Sequence, residues 1–164
     1  MHAPLAELLR YNRWAVLTLL DACQALGEAR LDARPQGISG SVRELLHIVG
    51  GQQTFVLRTR GRRHEGELNR GSPWPGFAVL RGVAVRSSDE LIAVAEELVQ
   101  DSELRLPWRG REYRYPKSCF LVHAVQHGVE HRTEVKLAPA QLGVQTPDLD
   151  AWFYAEAMGF GTAV

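Results

Sequence analysis

Three of the six histidines fall within nine residues, in His123-Ala-Val-Gln-His127-Gly-Val-Glu-His131. On a helix this i, i+4, i+8 spacing lines them up along one face. Imidazole is a proton carrier near neutral pH and a donor to Zn, Ni, Fe or Mn. At 100° per residue, Phe120, Ala124, Val135 and Ala138 share the side of His127 and His131, so the row is expected along the middle of an inward face. A charged imidazolium there costs several kcal/mol, about the cost of any unpaired buried charge. A neutral ring still needs partners for both nitrogens. A metal ion takes one nitrogen and leaves the other to donate to a neighbouring acceptor. The competing reading is a set of histidines hydrogen-bonded within a polar patch of the core.

One ion cannot readily use the whole row, because His123 and His131 stand about 12 Å apart along the axis. An adjacent pair is a natural clamp, and either pair satisfies the spacing. A third donor must come from elsewhere. His47 is the strongest candidate, lying between Leu46 and Ile48 in an apolar segment. His64, in a Gly-rich stretch, and His2, at the terminus, are weaker ones. Gly50 and Gly51 follow His47 by one turn, and each costs a helix about 1 kcal/mol relative to alanine. That cost is understandable if space is needed beside His47 for a ligand or a close backbone, with a simple kink as the alternative. Three histidines with positions left over suit a reactive site better than a closed structural one. His-Glu-x-x-His spacing is absent, which excludes a zincin.

Helices must position these residues. Leu5, Leu8, Leu9, Asn12, Val16, Leu19, Leu20, Cys23 and Leu26 recur at helical spacing from about Pro4 to Gly27. Asn12 is the one polar entry in that stripe. A second helix is expected from Ser41, where Ser41 and Glu44 make a capping box, to about Arg60. Its core face is Val42, Leu45, Leu46, Val49, Gln53 and Val56. From Gly61 to Ser87 the chain is rich in Gly and Pro and reads as a long irregular connection. Arg58, Arg60, Arg62 and Arg63 form a basic cluster at its start, read as a solvated surface. A third helix is expected from Ser87 or Ser88, with Glu90 as its capping acid. The run Leu104 to Tyr115 around Gly110 suits a small β-hairpin. The fourth helix is expected from Pro116 to Ala138, stopped by Pro139. A short last helix is expected from Pro147-Asp148 to about Met158, with Trp152, Phe153 and Met158 capping one end of the fold. The expected fold is therefore an all-α antiparallel four-helix bundle in one domain covering residues 1–164.

Composition narrows the function. Basic and acidic residues balance at 19 each. Nucleic-acid binding is disfavoured, since such proteins are visibly basic. No stretch has the length and apolarity of a membrane span or a signal peptide. Cys23 and Cys119 belong to no Cys-x-x-Cys motif and read as reduced thiols, which suggests a cytoplasmic protein.

Four segments resemble the DinB/YfiT-like family of metal-binding helix bundles. They are Leu9-Arg10-Tyr11-Asn12-Arg13-Trp14-Ala15, Ser41-Val42-Arg43-Glu44-Leu45-Leu46-His47-Ile48, the His123 to Arg132 segment, and Thr146-Pro147-Asp148-Leu149-Asp150. The order of the four is what makes the resemblance specific. It implies an up-down-down-up topology, a homodimer, and His47, His127 and His131 as ligands of a divalent metal, Zn or Ni first and Fe or Mn also compatible. His123 then stands outside the ligand set. After His131-Arg132 the family has Gly-Gln, where this chain has Thr133-Glu134, so Glu134 becomes a neighbouring acceptor or a fourth ligand. Some relatives activate a low-molecular-weight thiol for transfer, and others resemble hydrolases. The resemblance thus implies a metal-dependent thiol transferase or hydrolase acting on a small molecule, with Asn12, His123 or Glu134 as orienting groups. The alternative for Asn12 is a buried hydrogen bond between helices. The alternative for the whole protein is a non-catalytic stress-response protein with a structural metal.

Overall fold

The computed structural model describes residues 3–34, 36–37, 41–61, 68 and 71–160, and the chain is mostly helical. The elements are α1 (Ala3–Gln24), α2 (Leu46–Arg60), α3 (Phe77–Glu97), a hairpin of β1 (Glu103–Trp108) and β2 (Arg111–Pro116), α4 (Lys117–Gln141) and α5 (Ala151–Ala157). A 3-10 turn, Val42–Leu45, leads into α2, in place of a helix capped at Ser41. Among the described residues no helix is long and apolar enough to cross a membrane.

α1 packs against α3 and α4, and α2 packs against the same two helices. The apolar stripe of α1 dictates this. Leu9, Val16, Leu19, Leu20 and Cys23 are all buried, as is Asn12 among them. Residue pairs fix the directions. Arg10 meets Glu96, Arg13 meets Asp89 and Asp21 meets Arg81, so α1 and α3 are antiparallel. Gln52 lies beside Ser87 and Arg60 beside Glu97, so α2 and α3 run parallel. These exposed ion pairs stabilise little, but they record the register. Two apolar clusters fill the interior. One joins Ala6, Leu9, Val56, Leu91, Leu121 and Ala124. The other joins Val16, Leu19, Val49, Leu80, Val83 and Val135.

The third helix begins ten residues earlier than its capping signal suggests, at Phe77. Ser87 and Ser88 are interior and buried. Ser87 Oγ lies 2.9 Å from the Val83 carbonyl and 3.2 Å from Gln52 Oε1, so its one hydrogen finds an acceptor within the helix or across on α2. The stripe of Leu80, Val83, Ala84, Leu91 and Val94 continues through it. The loop before α3 is shorter by the same amount, and Gly76 (φ 83°) opens the helix. The fourth helix also overruns its signal. Pro139 sits inside it, and the helix closes at Gln141. So near the C-terminus the missing N–H removes only one late hydrogen bond.

The hairpin turns at Arg109 (φ 49°) and Gly110 (φ 74°), a left-handed pair that matches strand twist. A lone hairpin is marginal. Here Lys117 N–H donates to Ser102 O at 2.8 Å, Ser118 N–H donates to Asp101 at 3.1 Å, and Leu104 and Leu106 lie on the interior. The last helix starts at Ala151, three residues past the expected Asp148, because Asp150 is the cap: its carboxylate accepts from Trp152 and Phe153 N–H. The expectation that Trp152, Phe153 and Met158 cover the end of the helices is also overturned. Trp152 is 79% exposed, and Tyr154 is the buried aromatic of α5. Tyr154 packs on Tyr11 and Trp14 and donates to Glu7.

Candidate functional site

α4 presents two flanks. Leu121, Ala124, Gly128, Arg132 and Val135 form its buried centre. The histidines stand one residue to the side. His123 is exposed, and His127 and His131 are half-buried. The row therefore borders the interior and does not run along the middle of the inward face. Small Gly128 and long Arg132 take that middle, which apolar periodicity on α4 alone could not foresee.

The ring geometry is close. His123 and His127 stack with centroids 5.6 Å apart, and His127 and His131 meet edge to face at 4.4 Å. Phe55 of α2 stands edge-on to both His123, at 5.2 Å, and His127, at 6.1 Å. A Cβ at Gly51 would lie 3.5 Å from His127 Nε2, so the glycine keeps α2 open beside that nitrogen. Gly51 thus faces His127 and Phe55 faces His123, which makes α2 and α4 antiparallel. His131 Nδ1 lies 3.0 Å from Glu134 Oε2. That contact orients the ring and leaves Nε2 on its opposite side.

The backbone of α2 carries position 47 one turn before Gly51. The His47 side chain lies outside the described residues, as do His2 and His64. Among the described side chains no three His, Cys, Asp or Glu converge. The expected ligand set is accordingly represented by its α4 pair.

Asn12 points elsewhere. Its Oδ1 accepts from Arg132 Nη1, with both residues buried. Arg132 also lies over the Tyr11 ring at 5.7 Å, and Tyr11 donates to the Leu149 carbonyl at 2.8 Å. Burial pulls the Arg132 pKa below its usual value, and Tyr11 opposes that. A Cβ at Gly128 would stand 2.6 Å from Asn12 Oδ1 and 2.7 Å from Arg132 Nη1. So that glycine lets α1 and α4 approach, and α1 runs parallel to α4.

Between α2, α4 and the hairpin is a groove of about 730 Å³. Gly51, Thr54, Phe55 and Arg58 line it from α2, and Cys119, Phe120, His123 and His127 from α4. Leu106 and Tyr115 close it from the hairpin. Cys119, expected only as a reduced thiol, is the next step of the same row, one turn before His123. It is exposed, whereas Cys23 is buried; both are free thiols. Burial pushes the Cys23 thiol up to about 12.

The sequence model of the DinB family matches residues 1–161, and the chain belongs to that family. Its fold is similar to that of YjoA, a DinB-like protein from Bacillus subtilis, with a TM-score of 0.62 at 16% identity, covering 90% of this chain and 98% of that one. No curated protein matches this sequence.

Proposed function

We propose that this chain binds one divalent metal ion through His47, His127 and His131 and acts with it on a small molecule, transferring a thiol or hydrolysing the substrate. The observation that carries the reading is the 4.4 Å edge-to-face pair of His127 and His131, with His127 on the groove wall opposite α2. Three further features fit a metal. Glu134 on His131 Nδ1 is the arrangement that fixes a ligand ring and raises its basicity. Gly51 leaves room beside His127 Nε2. The antiparallel register carries position 47 one turn toward the end of α4 that bears His131.

All-imidazole donors suit Zn or Ni, with Fe or Mn compatible. A bound ion of this kind lowers the pKa of water or a thiol and supplies a nucleophile at neutral pH. The chain's own residues would do the rest. Phe55 and Phe120 keep water from the groove floor. Exposed His123, one turn from His127, is placed to exchange a proton with substrate. Glu134 holds His131 in one tautomer. Asn12 takes no direct part, because Arg132 occupies its oxygen. An open groove reaching His127 favours a reactive metal over a purely structural one.

The test is turnover by metal-loaded protein, using bacillithiol, mycothiol or glutathione with an electrophile, and simple esters. Activity is expected to need metal and to vanish in His127→Ala with the helical signal intact. Absence of turnover across all thiols and esters contradicts the enzyme reading. A large loss of thermal stability on chelation would then favour the structural metal.

A further inference from the structure

The charge that the described residues bring to the groove is one-sided. Its described lining residues include the cation Arg58 and the imidazoles of His123 and His127, and no carboxylate. Arg58 also differs from Arg60, two residues on, which pairs with Glu90 and Glu97. Arg58 is half-buried and has no carboxylate partner among the described residues. A guanidinium held at an apolar wall is partly stripped of water, so an incoming anion gains more there than on an open surface.

The placement along the groove is equally definite. Gly51, beside His127, and Arg58 are seven residues apart on α2, about 10 Å at 1.5 Å per residue. Phe55 lies between them and faces His123, while Cys119 and Phe120 lie toward Arg58 by the same antiparallel register and Leu106 and Tyr115 line the hairpin side. Tyr115 stands edge-on to Phe120 at 6.1 Å, which fixes this wall. The groove thus runs from the cationic Arg58 end, past Phe55, Phe120 and the hairpin side chains with His123 among them, to the His127 end.

We infer that the groove selects a small organic carboxylate with an aromatic or aliphatic body, the carboxylate on Arg58 and the far end beside His127. This rests on the proposed function only in naming the His127 end as the reacting one; recognition by Arg58 is independent of metal.

The test is calorimetry on the full, chelator-treated chain at pH 8 with 4-phenylbutyrate and its neutral counterpart 4-phenylbutan-1-ol. The acid is expected to bind about tenfold tighter than the alcohol or better, as a charge-assisted hydrogen bond requires. Arg58→Gln should abolish that preference and leave alcohol binding unchanged, and Arg58→Lys should restore part of it. Phe55→Ala should weaken both ligands. Equal binding of acid and alcohol, a preference that survives Arg58→Gln, or no binding of the acid overturns the inference. Metal content and turnover are separate measurements, so failure of the metal reading leaves this result intact.

Discussion

The two flanks of α4 treat polar groups in opposite ways. Toward α1 the helix buries Arg132 to 3% exposure, bonds its Nη1 to Asn12 and lays its guanidinium over the Tyr11 ring, and needs Gly128 to let the helices close. Toward α2 it leaves Cys119, His123 and His127 along a groove, with His131 one turn beyond and Gly51 keeping the opposite wall back. Each flank uses a glycine, for different ends. At Gly128 the space is filled by a neighbour's polar atoms. At Gly51 the nearest neighbour is an imidazole at ordinary contact distance. The first flank is built to hold helices together, and the second to admit something else.

Substituting the two glycines breaks that comparison most directly. Gly128→Ala forces a Cβ against both Asn12 and Arg132, at 2.6 and 2.7 Å. Overpacking together with a disturbed buried hydrogen bond should cost about 3 kcal/mol, read as a lower urea midpoint at unchanged m. Gly51→Ala meets only a 3.5 Å contact. It should gain up to about 1 kcal/mol in stability from helix propensity, while weakening metal uptake because the methyl crowds His127 Nε2. Destabilisation of equal size at both positions would contradict the distinction between the flanks.

The thiols sharpen it further. At pH 8 in native buffer, one thiol should react with a disulfide reagent, Cys119, and Cys23 only on unfolding. Burial raises the Cys23 pKa from 9.0 to about 12, and burial with the Glu7 contact raises that of Tyr154 from 10.0 to about 12. Above pH 9 the unfolded chain releases protons that the folded chain retains, so stability should fall as pH rises from 9 toward 12. A chemical-denaturation series across that range checks the sign, and Cys23→Ala should flatten its first part.

Much of this arrangement is legible in the sequence. The i+4 repeat puts the histidines in one row, the spacing of Glu134 brings it to His131, and paired glycines on α2 flag a need for space. Which way the row points is not legible from α4 alone, because Gly128 and Arg132 gain their meaning only from Asn12 on another helix. Asn12 likewise reads as a site residue until its partner, 120 positions away, is known. Ser87 and Glu90 mimic a helix start because a hydroxyl that caps and one that bonds back within a helix look the same in sequence. Arg58 reads as one of a surface cluster until the hairpin and α4 close a groove around it.

The central claim is tested most directly by elemental analysis of the purified chain after loading with Zn or Ni and removal of excess metal, alongside His127→Ala and His131→Ala. One ion per wild-type chain, lost in both variants while their helical signal is kept, is the predicted result. A wild-type chain that retains no divalent ion, or variants that retain it fully, would contradict the account.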